Sequence, residues 1–215
     1  INPVSMLKKA LEWSKRSLEL AQKYGITVSK IDKYLSAYFE GVLYEYEGAF
    51  DEASQKLREY ANAVRVFNKC SAILAEVRAL LNEARFCLIK GDYSGARESL
   101  KHVLEIISFS RECLSDPIMR IYDVYCKASL RVIECDELVD SFARGVSGNE
   151  VLDKALDVLD ECLKAVSSVG GLYGLWEERL RRIKEFFELL VKAKKKSIEV
   201  KRRQRESVKV EHKYI

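Results

Sequence analysis

Proline and glycine are scarce in this chain: two and ten residues out of 215. So low a share excludes a linker-rich or low-complexity protein, and an apolar content of 48% excludes a disordered one. Histidine is nearly missing too, with only His102 and His212, and the cysteines include no C-x-x-C pair. A zinc site built from two close ligand pairs is therefore absent from the pattern, and no cofactor or metal is expected. No run of about 18 apolar residues occurs, so a membrane-spanning helix is not expected. The first ten residues lack a signal-peptide pattern, and a soluble cytoplasmic protein is the expectation. Gly-rich phosphate loops, G-x-S-x-G and visible nucleophile–base pairings are all wanting, which lowers the prior for an enzyme.

What the chain has in abundance is apolar residues at helical spacing. Val4, Leu7, Leu11, Ser14, Leu18 and Ala21 step by three and four and end before Gly25. Thr27 or Ser29 suits the cap of a second helix, through Ile31, Leu35, Tyr38, Val42 and Glu45 to a stop near Gly48. A third helix starts at Asp51; the next break falls around residues 68–71, with Ser71 as a possible N-cap. Gly91 and Asp92 separate two further helices, the second reaching about Cys113. Asp116 followed by Pro117 is a strong helix start. That helix carries Ile121, Tyr125, Ala128, Val132, Cys135, Val139 and Phe142. Val151, Ala155, Val158, Cys162, Ala165 and Val169 form another stripe, and Trp176, Leu180, Ile183, Phe187 and Leu190 the last. The pattern predicts an all-α fold of about eight helices in antiparallel hairpins. Residues 207–215 partly alternate polar with apolar, which suits a strand or a disordered end.

Six cysteines lie in these apolar stretches, where a free thiol packs like a small hydrophobe. Internal disulfides remain the alternative, because heavy Lys, Glu and Arg use with three glutamines and two methionines is a thermophile-like composition.

An internal repeat is visible. Gly41, Tyr44, Gly48, Phe50, Ala53 and Leu57 correspond to Ala84, Cys87, Gly91, Tyr93, Ala96 and Leu100, at a constant offset of 43. The small residue, the turn Gly, the aromatic two later, the Ala and the large apolar residue resemble the tetratricopeptide repeat. That resemblance implies a helical-hairpin array with a partner-binding groove. The repeat length exceeds the roughly 34 residues of that family, and neither copy closes with Pro. An irregular helical bundle is the other architecture the pattern allows. Leu57, Tyr60 and Ala61, the Gly91–Asp92 turn, and Tyr122 with Asp123 are also similar to pieces of translin-like proteins, which implies binding of single-stranded nucleic acid.

Candidate sites follow from these elements. Arg97 and His102 fit the R-x4-H motif of HEPN-type ribonucleases, in which an Arg holds phosphate and a His moves a proton. Asp153, Asp157, Asp160 and Glu161 place acids on one side of a helix without a histidine beside them, which reads as a solvated face. Tyr38, Tyr44, Tyr46 and Tyr60 are the candidates for lining a partner groove.

The charge is uneven. Residues 192–213 hold ten basic and three acidic side chains, a net of +7, which leaves the other 193 residues at 27 basic and 30 acidic, a net of −3. Lys194, Lys195, Lys196, Lys201, Arg202, Arg203 and Arg205 make this basic tail the strongest interaction signal. A partner protein or nucleic acid phosphates would suit it, without base reading, since no aromatics interleave. The terminal Lys213, Tyr214 and Ile215 also resemble the hydrophobic–Tyr–X tail of proteasome activators, with Lys213 where that tail is hydrophobic. The sequence thus divides into a helical-hairpin domain, 1–191, and a basic C-terminal extension, 192–215. The expected function is a non-enzymatic adaptor or complex subunit binding a protein partner; the alternative is a nucleic-acid-binding helical bundle.

Overall fold

The computed structural model describes residues 3–211, except the side chains of residues 3, 30, 31 and 208–211. It is all-α. Eight helices follow one another among the described residues: α1 (Pro3–Lys23), α2 (Lys30–Glu47), α3 (Phe50–Val64), α4 (Lys69–Ile89), α5 (Tyr93–Phe109), α6 (Asp116–Ala143), α7 (Glu150–Ser167) and α8 (Leu175–Glu211). They form two compact units, Ile1–Asp116 and Pro117–Ile215. The boundary expected at 191/192 lies inside α8.

The helix ends are set by local chemistry. The Ser29 side chain caps α2 by accepting from the Asp32 N–H at 3.1 Å. Asn68, rather than Ser71, caps α4: its side-chain oxygen accepts from the Ser71 N–H at 3.0 Å. An amide side chain one turn ahead of the helix supplies the acceptor an orphan N–H needs. Asp92 does the same for α5 through the Gly95 N–H. Gly48 and Gly91 sit at φ +79° and +73° just past α2 and α4, a backbone open to glycine at no steric cost.

In the first unit each helix packs on the next, α1 on α2 through to α4 on α5. The repeat positions land in equivalent places: Ala53 and Ala96 are fully buried, as are Leu57 and Leu100. At Gly41 the approach is closest, since a Cβ there would stand 2.7 Å from Leu57 Cγ. α5 stops at Phe109, four residues before the expected end. The following turn brings Cys113 to the first turn of α4, where it is disulfide-bonded to Cys70 with Cα atoms 4.7 Å apart. Two of the six cysteines thus depart from the free-thiol expectation; Cys126, Cys135 and Cys162 are buried thiols and Cys87 is half-buried. The bridge spans 43 residues, the same interval as the repeat.

The second unit has one core contributed by all three of its helices, including Ile121, Val124, Val132, Leu152, Leu159, Cys162, Leu180, Phe187 and Ile198. The Cys162 Sγ–H donates to the Ala128 carbonyl at 3.6 Å, joining α7 to α6. α8 runs on as helix to Glu211, so residues 207–211 are helical and not the strand their alternation suggested. Regular i→i−4 bonding continues there because Ile198 and the cations beside it anchor the helix to α6 and α7. His212, Lys213, Tyr214 and Ile215 lie outside the described residues.

Candidate interaction surfaces

α1 is apolar on more than one side. Its inner stripe packs on α2, with Leu7 against Val42 and Leu57. Lys8 and Lys15 reach Glu47 and Glu40 of α2 at 3.2 and 2.6 Å, both pairs seven residues apart along their helices. At 100° per residue a second row, Met6, Ala10, Trp13, Ser17, Leu20 and Tyr24, falls within an arc of about 80°. Its large members are uncovered: Met6 is 56% exposed, Trp13 73%, Leu20 45% and Tyr24 66%. Lone exposed apolar residues are ordinary, whereas a continuous row marks an interaction surface. Lys9, Arg16 and Lys23 line the open edge of this row, all exposed, with the Lys23 ammonium 5.6 Å from the Tyr24 ring centroid.

The predicted groove tyrosines are spread over different environments. Tyr60 is 5% exposed and packs with Tyr38 at a ring-centroid distance of 5.2 Å, among Ala37, Val64 and Ala72. Burial pushes the Tyr60 phenol up, against a hydrogen bond with Ser71. Tyr38 is half-buried and accepts from Arg78 Nη1 at 3.1 Å. Tyr44 is half-buried and Tyr46 exposed. Between α2 and α4 lies a polar seam: the Glu45 carboxylate accepts from Arg78 Nε at 2.7 Å, from Asn82 Nδ2 at 3.3 Å and from Arg85 Nη1 at 3.4 Å. Asn82 is fully buried and also donates to the Arg78 carbonyl, so this network orders the two helices rather than awaiting a ligand.

Arg97 and His102 lie about 140° apart around α5 at 100° per residue. They line an open depression of about 450 Å³ together with Ser94, Glu98, Lys101 and Glu105. His102 also borders a smaller one of about 340 Å³ that reaches Arg58, Glu83, Cys87 and Asp92. Arg58 is ion-paired with Glu83. The Cys87 thiol is pushed up by burial and by the carboxylates of Asp92 and Glu83, the reverse of what an attacking thiolate needs.

In the second unit the basic segment meets the acids of α6 and α7. Lys194 binds Asp136 and Lys195 binds Asp160, each at 2.5 Å, and Arg202 binds Asp153. Arg205 donates to the Ser147 carbonyl at 3.0 Å and lies 4.5 Å from the Phe142 ring centroid. Four of the seven tail cations are therefore engaged within the unit. Lys196 and Arg203 are exposed and Lys201 half-buried. The exposed charges beside this segment of α8 mix signs: Glu188, Lys192, Glu199, Arg203 and Glu206. Of the acids singled out on α7, Asp153 and Asp160 hold Arg202 and Lys195, and Glu161 holds Arg131 at 3.0 Å. Among the described residues no cluster of His, Cys, Asp and Glu is placed to hold a metal, and no helix is long and apolar enough to cross a membrane. α8 also exposes Phe186, Leu189 and Val200, a shorter apolar row preceded on the helix by Arg179 and Arg182.

The α1 row is the surface that sequence reasoning missed. Its signal was present as Met6, Trp13 and Leu20 at seven-residue spacing, masked because Val4, Leu7, Leu11, Leu18 and Ala21 already made a complete stripe. No known protein family matches the chain, and no characterised protein or solved structure is detectably similar to it.

Proposed function

We propose that the protein is an adaptor, or a subunit of a larger complex, that binds another protein through its helical-hairpin unit. The observation that carries this reading is the uncovered row of Met6, Trp13 and Leu20 on α1, continued by Tyr24 just past its end. Water in contact with that much contiguous apolar surface is a standing cost, and covering it drives association. The pattern of hairpins at an interval of 43 residues supports the same reading, since repeated helix pairs build extended faces. Of the seven tail cations singled out, Lys196, Lys201 and Arg203 are the ones left for a docking role, because Lys194, Lys195, Arg202 and Arg205 hold α8 to the rest of its unit.

The test is affinity capture with the intact chain, followed by mass spectrometry, beside a Met6→Ser/Leu20→Ser variant. Partners lost from the variant but retained by Phe186→Ser support the reading. Capture of no protein by either chain removes it. The nucleic-acid alternative is tested on the same samples with single-stranded RNA at low salt. Binding abolished by Lys196→Gln/Arg203→Gln would favour that alternative. Deleting residues 192–215 would not serve, since Ile198 is part of the core.

A further inference from the structure

The edge of the α1 row says what kind of partner it fits. We infer that α1 docks an amphipathic helix whose apolar row is edged with Asp and Glu; this rests on the adaptor reading and names the partner's chemistry.

Three observations converge. The row is continuous over 19 positions, from Met6 to Tyr24, a length of about 27 Å at 1.5 Å per residue. A linear surface of that length matches a helix lying along it rather than a point anchor. Next, the opposite edge of α1 already shows the arrangement. Lys8 and Lys15, seven apart, hold Glu47 and Glu40, seven apart, on the neighbouring helix α2. Lys9, Arg16 and Lys23 repeat that seven-residue interval along the open edge, where an acidic helix would complete the same ladder. Finally, an uncovered helix in this unit need not be apolar. α5, last in the packing order, exposes Glu98, Lys101, His102 and Glu105, with Phe109 at its end the one large apolar side chain on that face. Terminal helices of arrays keep polar outer faces when nothing covers them.

Charge also separates this occupant from two others. A symmetric antiparallel pairing of α1 with a second copy sets Lys9, Arg16 and Lys23 against themselves, which repels. A broad anionic lipid surface is served by cations on both sides of an apolar face, whereas here they edge the row on one side only, its other side adjoining the stripe packed on α2. A single file of carboxylates on a helix meets the cations alone.

The experiment uses the full chain with Trp176→Phe, so that Trp13 is the sole tryptophan of the two. The probes are two synthetic helical peptides as long as α1, 21 residues, sharing one leucine row, with Glu along the edges of one and Lys along the other. The Glu-edged peptide should move Trp13 emission to shorter wavelength and bind about tenfold more tightly than the Lys-edged one, the summed effect of three rim ion pairs. Raising salt from about 0.15 M to about 1 M should erase most of that difference. Lys9→Glu/Arg16→Glu/Lys23→Glu should invert the preference, and Met6→Ser/Leu20→Ser should abolish binding with helicity unchanged. Equal affinity for the two peptides, or none for either, overturns the inference. So does a dimer in light scattering whose blue-shifted Trp13 emission returns to the exposed value on Leu20→Ser, since a second copy is then the occupant. A larger shift with vesicles of anionic phospholipid than with the Glu-edged peptide overturns it as well. Protein partners still captured by Met6→Ser/Leu20→Ser would leave the adaptor reading standing while this inference falls.

Discussion

Replacing both bridge cysteines, Cys70→Ser/Cys113→Ser, should cost the first unit about 4 kcal/mol. The figure comes from the loop that the bridge closes. With a sequence separation of 43, the entropy removed from the unfolded chain is about 13 cal/mol/K, and multiplied by 298 K this gives about 4 kcal/mol. Domain stabilities run from about 5 to 15 kcal/mol, so the loss is a large share of the total. For a unit of this size each kcal/mol moves the melting temperature by about 4 °C, and a fall of about 15 °C is expected.

The assay is thermal and urea unfolding of oxidised wild type against the double serine variant, followed by circular dichroism. Thiol counting runs alongside it. Four of the six cysteines should react with iodoacetamide in denaturant without reductant, and all six after reduction. In the folded protein Cys126, Cys135 and Cys162 should stay unreacted at pH 8: burial raises their thiols to about 12, 11 and 11, and closed packing excludes the reagent. Six reactive thiols in the unreduced denatured protein would refute the bridge. Four reactive thiols with a stability change under about 1 kcal/mol would refute the loop-entropy argument instead.

Gly41→Ala tests the close approach of α2 and α3. Helix propensity alone favours alanine by about 1 kcal/mol, whereas overpacking against the fully buried Leu57 costs about 1–3 kcal/mol. A net loss of about 1 kcal/mol in urea unfolding is expected; a gain would mean that the hairpin yields easily. Glu40 tests the ion pairs that fasten α1. Burial pushes its carboxyl up, but hydrogen bonds and charges from Lys15 and Lys56 outweigh it, so the group lies below the usual carboxylate value. A depressed carboxylate contributes stability that is present above its unfolded pKa and lost as pH falls through the folded one. Glu40→Gln should therefore destabilise at pH 7 and narrow to no difference at acidic pH, where both chains carry a neutral group. An equal deficit at every pH would assign the role of Glu40 to packing.

Much of the fold was legible because helices are local. Spacing of three and four, the turn glycines at 48 and 91, and the side-chain cap at Asp92 act within one or two turns, so a reading of nearby residues finds them. The 43-residue repeat was legible for the same reason, and its alanines and leucines are buried in equivalent places. Locality also misled at the ends. Residues 207–211 alternate like a strand, but a helix anchored upstream propagates through them at little cost per residue.

What only the tertiary structure decided concerns pairs distant in sequence. Nothing within a few residues of Cys70 or Cys113 says that they meet; the turn after α5 brings them together. The +7 segment reads as a free basic tail until α8 is laid on α6 and α7, whereupon Asp136, Asp153 and Asp160 hold three of its cations. A charge count sums over residues without knowing which are opposite one another, and that is what decides whether a cation faces a partner or its own fold. The α1 row is the same lesson for apolar surface. Composition and periodicity show that α1 is rich in large apolar side chains, and its neighbours in space determine which of them are buried and which are left to bind.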